Sequence, residues 1–272
     1  MKKTLLALLA SSLIAFSTMG CLSTSSTTSA GSVGADRQQL MLFSEEDMET
    51  SANESYAQII AEAKKAGTLN VNAATTNRVQ TIAKRLIAQT GSFREDALKW
   101  DWQVNVITED TVNAWCMAGG KIVVYTGIIE YLNLTDGELA AVMGHEISHA
   151  LREHSREQAS SSALTSVGTS VLSQLAGFGT VGTTAVQLAA EYCLTLPFSR
   201  KHETEADNVG TELMARAGYD PNEAVSIWKK MSALTTSSTP EILSTHPSNE
   251  SRIKNLTEIA KKVYPLYEAA NK

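Results

Sequence analysis

The chain has 272 residues, 23 of them basic and 29 acidic, for a formal net charge of −6. That length suits one well-packed domain of ordinary to large size. The mild acidity argues against nucleic acid as a partner, and three cysteines without C-x-x-C spacing exclude a zinc ribbon.

The first element is a leader. Met1-Lys2-Lys3 precedes an apolar run from Leu5 to Phe16 and then Ser17-Thr18-Met19-Gly20-Cys21. A charged start, a short apolar core and small residues at the cut read as a secretory signal over residues 1–20. The run is too short to span a bilayer. Gly20-Cys21 resembles the lipobox of bacterial lipoproteins, with Thr18 where that pattern usually has Leu. The resemblance implies a lipid anchor on Cys21, and Leu22 after it implies sorting to the outer membrane. Ordinary secretion, with Cys21 incidental, is the alternative. Removing residues 1–20 deletes Lys2 and Lys3 and no acid, which leaves 21 basic and 29 acidic residues and a formal charge of −8. Residues 21–44, rich in Ser, Thr and Gly, read as a flexible tether. Residues 45–272 then form the folded domain.

Glu45 to Ala66 suits a helix closed by Gly67. Residues 76–89 place Val79, Ile82, Ala83 and Leu86 on one buried helical face. The period then changes. WQVNVITE (102–109) alternates, VNAWCM (112–117) is short and β-rich, and KIVVYTG (121–127) is β-branched, with Gly119-Gly120 as a tight turn. These segments predict a small antiparallel sheet. Thr135-Asp136-Gly137-Glu138 is a capping box, and apolar residues at helical spacing follow through Ala150. Residues 158–190 carry no charge, yet polar residues interrupt every apolar stretch. Two buried or interfacial helices broken at 177–182 fit better than a membrane span. Residues 203–216 form a helix ended by Gly218, Asp220-Pro221-Asn222-Glu223 starts another, and the C-terminus is helical from about 248. Cys116 and Cys193 are either a disulfide in an oxidising compartment or two buried thiols.

GHEISHALREHSRE (144–157) holds three of the five histidines. His145 and His149, four apart, project from one face of a helix and can grip one cation, with Glu146 held beside it: the HExxH arrangement. A catalytic zinc needs a third protein ligand and an open position. On a continuing helix His154 points away, about 140° around from His149, and reads as a polar or packing residue. Glu203 is the better third ligand. Asp207, one turn on, can accept the outer N–H of a ligand histidine, whereas Glu205 lies about 200° from Glu203 and cannot join it. Spacing alone leaves an ordinary charged amphipathic helix as an equal reading of that segment.

Three stretches, HEISH, SRKHETEAD and STHPSNESRI (244–253), resemble the signatures of the gluzincin peptidases that include HtpX, the CAAX prenyl endopeptidases and the mitochondrial Oma-type proteases. With its lipobox, the chain is most similar to periplasmic lipoprotein members. The resemblance implies an α+β, mainly helical, zincin-like domain with one Zn2+ per chain on His145, His149 and Glu203. Glu146 is then the catalytic base and Asp207 a supporting partner. It further implies that His246 steadies the oxyanion or occupies the open site and holds the enzyme latent, with Arg252 nearby. NAWCMAGGKIVVYTG (113–127) resembles the family's cleft strand, so Asn113 and Ala114 are expected at an exposed edge that binds extended substrate. His202 is not expected to be a ligand. The activity so implied is zinc-dependent endoproteolysis of unfolded or misassembled cell-envelope proteins in the periplasm. The alternative is a non-catalytic envelope lipoprotein that uses a structural zinc as a binding or chaperone module. Cleavage of prenylated peptides inside a membrane fits poorly without spans.

Overall fold

Gly119 and Gly120, both with positive φ (70° and 82°), turn one strand back on the next. The computed structural model describes residues 24–175, 193–233, 240–246 and 250–272. The leader, Cys21 and the expected break at 177–182 lie outside the described residues. In chain order the elements are β1 (Thr24–Ser25), β2 (Gln39–Leu40), α1 (Glu45–Ala66), α2 (Ala73–Ile87), β3 (Gln103–Ile107), β4 (Ala114–Met117) and β5 (Lys121–Tyr125). There follow α3 (Thr126–Tyr131), α4 (Asp136–Leu151), α5 (His154–Leu175), α6 (Arg200–Arg216), α7 (Asn222–Ser232), α8 (Glu241–Thr245) and α9 (Glu250–Ala270).

The helix starts follow from local chemistry. Ser44 caps α1 through the Asp47 amide, and Gly67 closes it with φ 72°. Thr135 and Glu138 form the full capping box of α4, an arrangement in which a lost cap costs about 1 kcal/mol. Glu138 also binds Lys230 Nζ at 2.6 Å and Ser226 at 2.6 Å, which ties the start of α4 to α7. The predicted face of α2 is buried: Val79, Ile82, Ala83 and Leu86 are at most 1% exposed. From Gly137 to Leu151 every residue of α4 is buried. It is the central helix, packed between the sheet, α6 and α7, and each aliphatic side chain so covered contributes about 1.5–3 kcal/mol.

The three-stranded sheet is mixed rather than antiparallel. Its order is β3-β5-β4. β4 and β5 pair antiparallel as a hairpin, Ala114 opposite Val124, but β3 runs parallel to β5, Gln103 opposite Lys121. The hairpin's return strand inserts between β3 and β4, and that reverses the expected sense of β3.

Residues 24–44 are not a flexible tether where the structure describes them. β1 and β2 pair, and Thr28, Ala35, Gln39 and Met41 are buried. Arg37 reaches Glu157 and Glu205, and Gln39 reaches the Arg152 carbonyl at 2.6 Å. Small polar residues here make turns that pack instead of a loose chain. Among the described residues no helix is long and apolar enough to cross a membrane.

Candidate active site

Two helices build the centre by crossing at glycines. A Cβ placed on Gly210 of α6 would sit 2.7 Å from the His145 amide nitrogen of α4. That close approach brings Glu203, at the start of α6, over the histidine pair of α4. The start of α6 is itself defined by Ser199, whose side chain accepts from the His202 amide.

The four candidate donors converge. His145 Nε2 lies 3.2 Å from His149 Nε2 and 3.3 Å from His246 Nδ1. Glu203 Oε1 is 3.0 Å from His246 Nδ1 and 3.4 Å from His149 Nε2, and its Oε2 is 3.5 Å from His145 Nε2. All four residues are buried. A tetrahedral zinc with bonds of about 2.0–2.1 Å separates its ligands by about 3.3–3.4 Å. The printed contacts of 3.0–3.5 Å are near that spacing, one ligand atom from each residue lies within 4.8 Å of the others, and the imidazole and carboxylate donors suit the same ion. Charge agrees: Glu146, Glu203 and Asp207 are buried carboxylates, and among the described residues Arg252 is the guanidinium against them. With neutral imidazoles the ionised set is two charges short on the positive side, the deficit a divalent cation fills.

Neighbours hold the donors in place. His145 Nδ1 lies 3.0 Å from Asp207 Oδ1, on an oblique approach that leaves the ring N–H without a linear partner. Arg252 binds Glu203 Oε2 at 2.5 Å and both oxygens of Asp207 at 2.6 and 2.8 Å, with its guanidinium 3.6 Å from the Trp228 ring centre. Burial opposes charge on His145, but Asp207 and Glu203 outweigh it and raise the imidazole to about 9. Burial holds His149 well below its ordinary value, so this ring is neutral. At Glu203 burial pushes the carboxyl up, yet His246, His145 and His149 hold it well below the usual carboxylate range.

Glu146 stands beside the donors without joining them. Its Oε1 is 3.5 Å from His246 Nε2, and burial pushes its carboxyl up against the pull of His246 and His145. A small cavity of about 10 Å³ adjoins it, lined by Val142, Ile227, Trp228, Met231, Ile242 and His145.

His202 stays out of the cluster and pairs with Glu157 at 3.2 Å, as expected, while Glu205 turns away from Glu203 toward His154. The substrate edge differs from expectation. β4 is an edge strand, but Asn113 and Ala114 are 4% and 1% exposed. The Ala114 amide donates to Asn113 Oδ1, the Val112 carbonyl accepts from the Ile242 amide, and Asn113 Nδ2 binds Glu241. Residues 240–246 thus bind the residues that lead into the edge, Val112 and Asn113. Cys116 and Cys193 are free thiols, with Cys193 Sγ 3.7 Å from the Cys116 carbonyl.

One neighbour was missed. Helix α4 ends at Leu151, and Glu153 takes the left-handed conformation (φ 48°). The redirected chain swings His154 back to His149, Nδ1 to Nδ1 at 3.0 Å. A continuous-helix projection cannot find this contact; the one local signal, a left-handed Glu, is rare for that residue type.

A sequence profile of peptidase family M48 matches residues 73–260, which spans both site helices and the first half of the Arg252 helix. The chain belongs to peptidase family M48. This M48 chain is similar to the mitochondrial metalloendopeptidase OMA1 of Arabidopsis thaliana, 40% identical over 157 residues, 58% of this chain and 31% of that protein. It is 37% identical to OMA1 of Schizosaccharomyces pombe over 186 residues, 68% and 52% of the two chains. The beta-barrel assembly-enhancing protease of Escherichia coli is 30% identical over 201 residues, 70% and 40%. The M48 chain therefore spans about a third to a half of the length of these curated relatives.

Proposed function

We propose that the protein is a zinc-dependent endopeptidase of the cell envelope that clips unfolded or misassembled proteins, and that this conformation is its latent form. The observation that carries the reading is Glu146. A purely structural site needs no buried, upward-shifted carboxylate beside four donors at zinc spacing. His145, His149 and Glu203 would hold the ion, which supplies Lewis acidity. Glu146 takes the proton of the attacking water and delivers it to the departing amine. Asp207 and Arg252 keep His145 and Glu203 in register.

Latency follows from residues 240–246. His246 supplies a fourth donor, and the same segment ties down Val112 and Asn113 at the start of the β4 edge through Ile242 and Glu241. Withdrawal of this segment would open the fourth position and free the Asn113–Ala114 edge for extended substrate. The envelope location rests on the leader and the lipobox-like Cys21. The relatives' names differ, one given for beta-barrel assembly and one for mitochondria, and the leader supports the envelope reading.

The closed donor set also favours a second reading, a non-catalytic lipoprotein with structural zinc, because structural sites are four-coordinate. Digestion of an unfolded substrate such as casein, with and without chelator, separates the two. The parent is expected to cleave and Glu146→Gln to keep its metal but lose cleavage; undiminished cleavage by that variant would overturn the assignment.

A further inference from the structure

His154, Glu205 and Arg37 form a chain that ends on His149. His149 Nδ1 faces His154 Nδ1 at 3.0 Å, and His154 Nε2 faces Glu205 Oε2 at 3.1 Å. Arg37 grips both oxygens of Glu205, its Nη2 at 2.9 Å from Oε2, and Arg152 Nη2 adds a bond at 3.2 Å. His154 and Arg152 are fully buried. Arg37 also binds Glu157 with two bonds of 2.6 and 2.7 Å, and Gln39 joins it at 2.8 Å.

The proton positions follow from the partners. A carboxylate held by two arginines accepts and cannot donate. His154 therefore carries its proton on Nε2, toward Glu205. Its Nδ1 is then an acceptor, so His149 must donate from Nδ1. That leaves the His149 Nε2 lone pair directed at His145 and Glu203, the state a metal ligand requires. The opposite tautomer would set two Nδ1 lone pairs against each other in a buried space.

We propose that Arg37, Glu205 and His154 are positioning residues that fix the tautomer and orientation of His149, which makes residues 24–44 a working part of the metal centre. Arg37 lies ahead of the family-matched region, 73–260, and reaches the centre only because its segment packs onto α5 and α6. The inference rests on the metal reading of the His145–His149–Glu203 cluster. Composition concealed it, since the partners of Arg37 lie 120 and 168 residues away.

The test is zinc affinity of the full chain, measured by competition with a chelator of known affinity, rather than activity. Glu205→Gln can present either an acceptor or a donor to His154 and so releases the tautomer. It and Arg37→Gln are each expected to weaken zinc binding about 10–100-fold, the usual loss when a ligand's supporting partner is removed. In long-range 1H–15N spectra of the zinc-free protein, His149 should lose its single Nδ1–H tautomer. Glu157→Gln is the comparison: it shares Arg37 but pairs with His202, whose ring stacks on His154 at 4.5 Å without a hydrogen bond to it, and its zinc affinity should stay within about threefold of the parent. Arg37→Gln, at the partly exposed end of the chain, decides the matter if Glu205→Gln does not fold. Parent-like affinity in folded Glu205→Gln or Arg37→Gln, or an equal loss in Glu157→Gln, would overturn the inference and leave the metal assignment standing. A parent that binds no zinc would overturn both.

Discussion

Replacing Gly210 with alanine perturbs the convergence of α4 and α6 without touching a donor. The added Cβ would lie 2.7 Å from the His145 amide nitrogen, 2.8 Å from the Gly144 carbonyl carbon and 2.9 Å from its oxygen. All three atoms are backbone within a buried helix, so no side chain can swing aside. Ordinary contact at such a position begins near 3.4 Å, so the helices must separate by about 0.7 Å. Glu203 is seven residues from the crossing, about 10.5 Å along a stiff helix, and moves with it. Zinc sites hold their bond lengths to about 0.2 Å, so the displacement is several times the tolerance. Overpacking of this kind costs about 1–3 kcal/mol, or about 2–12 °C in Tm for a domain of this size. Calorimetry of the zinc-free protein should show that loss, and a chelator competition should show zinc affinity at least about tenfold weaker. Gly144→Ala, whose Cβ has a single contact at 2.9 Å, should be milder on both counts. A Gly210→Ala protein with parent-like Tm and zinc affinity would refute the reasoning that the glycine crossing sets the site.

Other outcomes follow from the same geometry. His246→Ala should raise casein cleavage by about tenfold or more, since an open state held as a minor population becomes dominant; a fall in cleavage would make His246 an oxyanion donor instead of a latch. Arg252→Met keeps a stem against Trp228 but removes the positive charge between Glu203 and Asp207. It should cost about 3–5 kcal/mol in the zinc-free protein, and less with zinc bound; equal losses in chemical denaturation of both forms would contradict the charge account. At Glu157 burial pushes the carboxyl up, but His202, Arg37 and Gln39 outweigh it and hold it well below the usual range. Its contribution is complete above the unfolded value of about 4.3 and lost as pH falls below it. The stability deficit of zinc-free Glu157→Gln should therefore be largest near neutral pH and shrink toward pH 3. A deficit independent of pH in thermal scans would place the effect in packing.

Local signals were legible and distant partnerships were not. The Thr135–Glu138 box, the Gly67 stop and the α2 face are written in neighbouring residues, so the structure reproduces them closely. Glu203 was reachable through the resemblance of SRKHETEAD; its spacing to Asp207 alone left an ordinary charged helix as an equal reading. Alternation in residues 102–109 identifies a strand but carries nothing about its neighbour, so the parallel pairing of β3 was invisible. Residues 24–44 look loose by composition because the groups that order them, Arg37 and Gln39 among them, find partners far along the chain. His154 lies outside the donor cluster, but its contact with His149 was hidden by assuming a continuous helix through Glu153. Gly144 and Gly210 read as ordinary helix positions until the two helices are laid across each other.

The most direct measurement is zinc K-edge X-ray absorption on the purified full chain. Convergence of His145, His149, Glu203 and His246 on one ion predicts one zinc per chain, with nitrogen and oxygen scatterers at about 2.0–2.2 Å, imidazole multiple scattering and no sulfur. A shell of sulfur near 2.3 Å, or a folded chain that takes up no zinc, would contradict the account.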